Sequence, residues 1–197
     1  MEQALSEHFW NERYEKCETG WDIGYISTPL KDYFDQLTDK EMTILIPGCG
    51  NAYEAEYLNQ LGFKNVVVLD FSKHALQQFK QRVPTFPKHH LIGEDFFKHQ
   101  GAYDLMVEQT FFCALHPSLR AKYAEHTASL LKSKGKLVGL LFDDVLNTDH
   151  PPFGGNKAEY LSYFSPYFDV AIMETATNSI PPRAGRELFI KMIKKIS

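Results

Sequence analysis

Short apolar runs alternate with longer segments of mixed polarity along most of this chain, and the alternation starts at residue 43. Thr43–Pro47 and Asn65–Leu69 are β-branched runs of strand length, each followed by a segment with helical spacing. Asn51 opens the first of these helices, with Glu54 three residues on in a capping-box-like arrangement. Ser72 opens the second, which ends near Val83, just before Pro84. Further along, the pattern predicts a short strand over 89–92, a strand over 103–110, a helix over 117–131 and a turn at Ser133-Lys134-Gly135. A strongly apolar strand follows over 136–142, interrupted by Gly139. A helix over 157–164 and two closing strands over 168–175 and 187–193 complete the pattern. Strand and helix alternating in this way define an α/β chain with a parallel sheet and helices on both faces.

The first forty residues carry no strand pattern. Leu5, Phe9, Trp10, Tyr14 and Cys17 have the spacing of an amphipathic helix, Trp21 follows Gly20, and Thr28-Pro29 starts a second helix over 29–37. Residues 1–40 are therefore expected to form an aromatic-rich helical cap over the site described next. No repeat, low-complexity segment or Gly/Ser-rich linker divides residues 1–197, which read as a single domain.

The first strand ends in Pro47-Gly48-Cys49-Gly50, and the second ends on Asp70. A glycine turn after one strand and an acid after the next is the layout of a nucleotide-type cofactor site, with the acid placed to meet ribose hydroxyls. The dinucleotide fingerprint has a third glycine where this chain has Tyr53, which argues against a cradled pyrophosphate. S-adenosylmethionine has no phosphate, so a large residue there is harmless. Its sulfonium is a cation that aromatic faces attract and shield from water, as Trp10, Tyr14 and Trp21 could do. Asp95 and Phe96 stand where the third strand ends, placed to meet an adenine amino group and ring, and Glu108 and Gln109 close the fourth.

Composition narrows the classes. Hydrophobic content is 44%, charged content 23% and the formal net charge −4, which fits a globular protein and argues against a general nucleic-acid surface. The first eight residues lack the basic head and apolar run of a signal peptide, and no later run is long enough to cross a bilayer, so a cytoplasmic protein with no membrane partner is expected. Cys17, Cys49 and Cys113 are widely spaced and read as free thiols, with Cys113 a small buried apolar residue.

These residues together resemble the thiopurine S-methyltransferase-like family of S-adenosylmethionine-dependent enzymes, which includes the plant halide/thiol methyltransferases. The resemblance rests on Trp10, Tyr14 and Trp21, on Ile46-Pro47-Gly48-Cys49-Gly50, on Leu69-Asp70-Phe71-Ser72 and on Glu94-Asp95-Phe96-Phe97. Thr110-Phe111-Phe112-Cys113-Ala114-Leu115, Leu130-Leu131-Lys132-Ser133-Lys134-Gly135 and Ile180-Pro181-Pro182-Arg183-Ala184-Gly185-Arg186-Glu187 extend it over most of the chain. It implies a Rossmann-like seven-stranded doubly wound sheet with the last strand antiparallel. It also implies S-adenosyl-L-methionine as cofactor, released as S-adenosyl-L-homocysteine, with contacts at Trp10, Tyr14, Trp21, Gly48, Gly50, Asp70, Phe71, Asp95, Phe96 and Gln109. The plant members carry Trp at the position of Tyr14 and Tyr at that of Gln109. The loop Asp149-His150-Pro151-Pro152-Phe153-Gly154-Gly155 permutes the family's Asp-His-Gly-Gly-Pro-Pro arrangement, in a segment that shapes the acceptor pocket.

The acceptor that this implies is a small soft nucleophile: a thiol or thiopurine, a halide or a chalcogen compound. A thiolate or halide attacks as an anion and needs no dedicated base. For other acceptors Asp143, His116 and His150 are the candidate bases, and Arg183 and Arg186 candidates to orient an anion. The loop carboxylates have no ligand spacing, so no metal is expected. A monomer is expected. Two alternatives stay open at this level: a non-catalytic S-adenosylmethionine-binding module and an NAD-dependent oxidoreductase.

Overall fold

The computed structural model describes residues 5–196, in two compact units that divide between His99 and Gln100. Residues 1–4, on which half of the signal-peptide reading falls, lie outside the described residues.

In the first unit β2 (Asn65–Leu69) pairs in parallel with β1 (Thr43–Pro47) and with β3 (Leu91–Ile92). Ile44, Leu45 and Ile46 are consecutive and all but fully buried, the signature of a strand covered on both faces. The helices α3 (Tyr53–Gln60) and α4 (Lys73–Arg82) carry the chain from β1 to β2 and from β2 to β3. Ser72 caps α4 by accepting the Ala75 N–H at 3.2 Å, and the same hydroxyl donates to Asn11 Oδ1 at 2.8 Å. One side chain thus starts α4 and seats α1 (Glu7–Glu15) against it. The second N-terminal helix, α2 (Thr28–Asp35), packs on α3, and the buried Glu54 accepts the Ser27 N–H at 3.4 Å.

Two local expectations change here. Asn51 does not cap α3: the N-cap is Ala52, in left-handed conformation at φ 53°, and the Asn51 amide donates to Asp22. Left-handed residues at Gly48, Gly50 and Ala52 turn the chain so that the helix starts one residue later, while Glu54 leaves the expected capping box for Ser27. The strand over 89–92 shrinks to Leu91–Ile92, because Pro87 sets a 3-10 turn in which the His90 N–H reaches the Pro87 carbonyl at 3.0 Å.

In the second unit β4 (Tyr103–Gln109) runs parallel to β5 (Leu131–Phe142), β7 (Glu187–Lys194) runs antiparallel to β5, and β6 (Phe168–Thr175) antiparallel to β7. The helix α5 (Arg120–Leu130) connects β4 to β5, and α6 (Lys157–Phe164) precedes β6. The helix expected over 117–131 divides into a 3-10 turn at Pro117–Leu119 and α5. The turn expected at Ser133-Lys134-Gly135 lies inside β5, where Lys134 has φ 61° and the register against β4 shifts. Turn-type residues here serve a bulge and not a chain reversal. Gly139 faces Glu108 across the ladder, and a Cβ on it would lie 2.2 Å from the Glu108 carbonyl oxygen, so this strand position requires glycine.

In sheet order the strands run β3-β2-β1-β4-β5-β7-β6, seven among the described residues, with β7, the last in sequence, antiparallel. The doubly wound Rossmann-like sheet expected from the resemblance is the one observed. Ligands of such sheets bind beyond the carboxyl ends of the parallel strands, which here are Pro47, Leu69, Ile92, Gln109 and Phe142. Among the described residues no helix is long and apolar enough to cross a membrane.

Candidate cofactor and acceptor site

At the carboxyl ends of β1 and β2 the glycine turn and Asp70 form one hydrogen-bonded unit. Gly50 N–H donates to Asp70 Oδ2 at 2.8 Å and Ser72 N–H to Oδ1 at 2.7 Å. Each carboxylate oxygen keeps a lone pair that a ligand hydroxyl can use. The carboxyl is buried, and burial holds it above the usual carboxylate range against the pull of those two N–H groups. Gly48 and Gly50 have φ of 56° and 50°. At Gly50 the fit is doubly restrictive, since a Cβ would also meet the Tyr14 hydroxyl at 2.5 Å. Phe71, next to Asp70, is half-buried.

Tyr14, Trp10 and Trp21 come together as expected. Trp21 packs edge-on against Trp10 at 5.6 Å and against Tyr14 at 5.9 Å between centroids. Tyr14 is buried, and its hydroxyl is held far above the usual phenol range by burial and by the neighbouring Asp70, while a hydrogen bond from Trp21 acts the other way. A second contact pins this segment: Asp22 takes the Asn51 amide and the Tyr53 hydroxyl, the latter at 3.4 Å. Arg82 lies 4.6 Å over the Tyr53 ring and reaches Glu56 at 2.7 Å, so the residue standing in place of a third glycine is fixed on both sides. Asp22 and Arg82 are 29 and 31 residues from Asn51, and no sequence signal linked them to the turn.

Asp95 caps the 3-10 turn Phe96–Lys98, accepting the Phe97 N–H at 2.9 Å, with Phe96 buried behind it. One Asp95 oxygen is thus engaged locally. The pair stands just past β3.

In the second unit the carboxyl end of β4 is more elaborate than its sequence suggests. Glu108, at the end of this strand, is 1% exposed and folds back on its own corner. It accepts the Phe111 and Phe112 N–H groups at 2.8 and 2.7 Å and the Tyr123 hydroxyl at 2.6 Å. Burial pushes its carboxyl up to about 7. This brace holds Thr110 at φ 58°, next to Gln109, whose Oε1 is buried without a hydrogen-bond partner. An acid ending an apolar strand was the available signal for Glu108, the same signal that singled out Asp70.

The loop after β5 is ordered at its base and lines a groove of about 470 Å³ with residues 143–148 and 154–156. Asp144 and Gly155 exchange both backbone bonds at 3.1 Å, and the Phe153 N–H reaches the Cys113 carbonyl at 2.7 Å. Asp143, His150 and Arg186, three of the candidate base and anion-orienting residues, each have local partners. Asp143 Oδ1 accepts the Lys157 N–H at 3.2 Å, Arg186 pairs with Asp144 and donates to the Pro182 carbonyl at 3.2 Å, and exposed His150 lies 3.0 Å from the Pro151 carbonyl. Arg183 is buried against Glu187 at 3.3 Å, and His116 Nδ1 lies 2.8 Å from the Ser118 hydroxyl. Cys113 is buried with its thiol pushed up to about 12, chiefly by desolvation, so it stays protonated. No group of three or more His, Cys, Asp and Glu among the described residues is arranged to hold a metal ion.

Solved S-adenosylmethionine-dependent methyltransferases share this fold. The chain matches the crystal structure of Burkholderia thailandensis 1,6-didemethyltoxoflavin-N1-methyltransferase, with bound 1,6-didemethyltoxoflavin and S-adenosylhomocysteine, at a TM-score of 0.79 and 14% identity. The match covers 98% of this chain and 88% of that one. It matches a TehB-like S-adenosylmethionine-dependent methyltransferase from Corynebacterium glutamicum at a TM-score of 0.66 and 16% identity, over 96% and 98% of the two chains. Within that class the chain belongs to the thiopurine S-methyltransferase (TPMT) family, which its residues 5–194 match. It is 29% identical over 184 residues to a probable thiol methyltransferase 2 of Arabidopsis thaliana, covering 90% of this chain and 81% of the relative. To a thiopurine S-methyltransferase of Pseudomonas fluorescens it is 26% identical over 188 residues, covering 84% and 85%. It is thus a methyltransferase whose cofactor is S-adenosylmethionine. In the first unit the residues present suit that group: Asp70 has acceptor capacity for hydroxyls, and Gly50 leaves no room for a side chain.

Proposed function

We propose that this enzyme methylates a small soft nucleophile, a thiol or thiopurine, a halide or a chalcogen compound, inside the cell's cytoplasm and as a single-domain monomer. Bound S-adenosylmethionine supplies an electrophilic methyl group and leaves as S-adenosylhomocysteine. Asp70 accepts from the ribose hydroxyls, Gly48, Gly50 and Phe71 pass close to the nucleoside, and Asp95 and Phe96 meet the adenine. Gln109 Oε1 accepts from a donor of the cofactor. Trp10, Tyr14 and Trp21, in the cap of residues 1–40, enclose the sulfonium. Holding acceptor and methyl carbon in line supplies about 7–11 kcal/mol of the barrier.

The observation that carries the acceptor class is that Asp143, His150 and Arg186 are each engaged locally, Asp143 by the Lys157 N–H, His150 beside the Pro151 carbonyl and Arg186 with Asp144 and the Pro182 carbonyl. An acceptor that arrives as an anion needs neither Asp143 nor His150 as a base. The relatives named thiol, thiocyanate and thiopurine methyltransferases support the same class. The test is radiolabelled methyl transfer to thiols of graded acidity, thiopurines, iodide, thiocyanate and selenium or tellurium oxyanions. For thiols kcat/KM is expected to follow the ionised fraction of the acceptor, and for iodide to be flat with pH. Silence across the panel, or strong rate dependence on an enzyme base with iodide, would sink the reading.

A further inference from the structure

The base of the 143–155 loop is organised by one buried cation that the reaction itself does not use. Arg120, at the start of α5, is 1% exposed. Its guanidinium donates to the Gly154 carbonyl at 2.7 Å and the Phe153 carbonyl at 3.4 Å, pairs with Glu159 at 2.7 Å and lies 5.0 Å over the Phe112 ring. Tyr160, one residue after Glu159 on α6, donates to the Phe142 carbonyl at 2.5 Å, where β5 ends, and its hydroxyl fills the space a Cβ on Gly155 would need. The departure and the return of the loop are therefore both held by the α5–α6 pair. The Phe153 bond to Cys113 ties the return to the corner after β4.

A buried ion pair is weak evidence of stabilisation, and here Arg120 Nε is left without a partner, which adds a desolvation penalty. What a planar guanidinium does and a lysine cannot is hold two successive carbonyls and a carboxylate in one fixed fork. We propose that Arg120 is a positioning residue for the methyl acceptor, fixing the Phe153-Gly154 backbone and with it the wall that the 143–155 loop presents to acceptors larger than a single atom. This rests on the soft-nucleophile reading above and on that loop bounding the acceptor.

The test compares wild type with Arg120→Lys and Glu159→Gln, using thiophenol and iodide as acceptors, calorimetry with S-adenosylhomocysteine, and hydrogen exchange at the Phe153 and Gly155 amides. Arg120→Lys is expected to speed exchange at both amides and to raise KM for thiophenol at least tenfold. The Kd for S-adenosylhomocysteine should stay within twofold and kcat/KM for iodide within threefold. Glu159→Gln keeps an acceptor but loses the charge, so its KM for thiophenol should rise at least threefold; it carries the test if Arg120→Lys does not fold. An unchanged thiophenol KM alongside faster exchange would make Arg120 merely structural. Parallel losses with thiophenol, iodide and cofactor would also overturn the assignment. Wild-type silence toward thiophenol, iodide and the rest of the acceptor panel overturns the soft-nucleophile reading and the wall built on it, whereas normal wild-type turnover with an unaffected variant overturns the Arg120 assignment alone.

Discussion

Removing the Asp70 carboxylate tests the cofactor side most directly, because two separable consequences follow from its geometry. The first concerns the fold. Asp70→Ala leaves the Gly50 and Ser72 N–H groups, now bonded at 2.8 and 2.7 Å, buried without acceptors. Each unsatisfied donor costs about 1–3 kcal/mol, so the turn loses about 2–6 kcal/mol, part of it returned because a carboxylate disfavoured by burial is gone. The second concerns binding. Ribose hydroxyls lose a charged acceptor worth about 1–3 kcal/mol, which is roughly a 5- to 150-fold rise in Kd. Asp70→Asn separates the two, since its remaining carbonyl oxygen satisfies one N–H while the charge is lost. Urea unfolding without ligand and calorimetry with S-adenosylhomocysteine measure them independently. A destabilised variant that binds the ligand with wild-type affinity would place the ribose elsewhere and refute the role of Asp70 in binding. Unchanged stability would refute the account of the turn.

Three further outcomes are expected. Glu108, pushed by burial from 4.5 to about 7, favours the folded state in its protonated form, so its contribution is full below about 4.5 and is lost as pH rises through about 7. Between pH 5 and 7.5 the urea-unfolding stability of Glu108→Gln, which mimics the protonated acid, should therefore gain on wild type by about 2 kcal/mol, and a constant gap would contradict the shift. Gly139→Ala drives a Cβ into the Glu108 carbonyl at 2.2 Å and should cost about 3 kcal/mol, seen as a drop of roughly 6–12 °C in thermal midpoint; a wild-type melting curve would refute the close approach. Trp21→Ala removes two edge-to-face contacts worth about 0.5–1.5 kcal/mol each and should weaken S-adenosylmethionine binding more than that of the uncharged S-adenosylhomocysteine, with equal losses counting against an aromatic enclosure of the sulfonium.

The strands and helices were legible because their signals are local: Val66-Val67-Val68-Leu69 reads as a buried strand, and Ser72 caps the helix it was expected to open. The departures have long-range causes. Asn51 looked like a cap, but Asp22 lies 29 residues away and takes its amide. Ser133-Lys134-Gly135 has the residues of a turn, and only pairing with β4 makes it a bulge. The candidate site divides in the same way. Asp70 and the glycines were readable from strand-end chemistry, whereas Arg120 was an ordinary helix residue in sequence. Its work depends on carbonyls 33 and 34 positions further on, and backbone acceptors leave no trace in side-chain pattern.

The two units also differ in what their ionisable residues do with charge. Methyl transfer from a sulfonium to an anion turns two charged reactants into two neutral products, so a carboxylate facing the sulfonium would stabilise a ground state whose charge the reaction destroys. In the first unit the buried acid nearest the aromatic trio, Asp70, is instead held by two backbone N–H groups, and Trp10, Tyr14 and Trp21 offer polarizable rings. Ring faces attract a cation weakly enough to release it as its charge disappears. In the second unit Asp143 is engaged by the Lys157 N–H, and Arg186 by Asp144 and the Pro182 carbonyl. Under the proposed soft-nucleophile reading, ionisable groups engaged in this way leave the nucleophile to bring its own reactivity. Discrimination among acceptors then falls to size and to intrinsic ionisation, the first of which is what a wall braced by Arg120 can set.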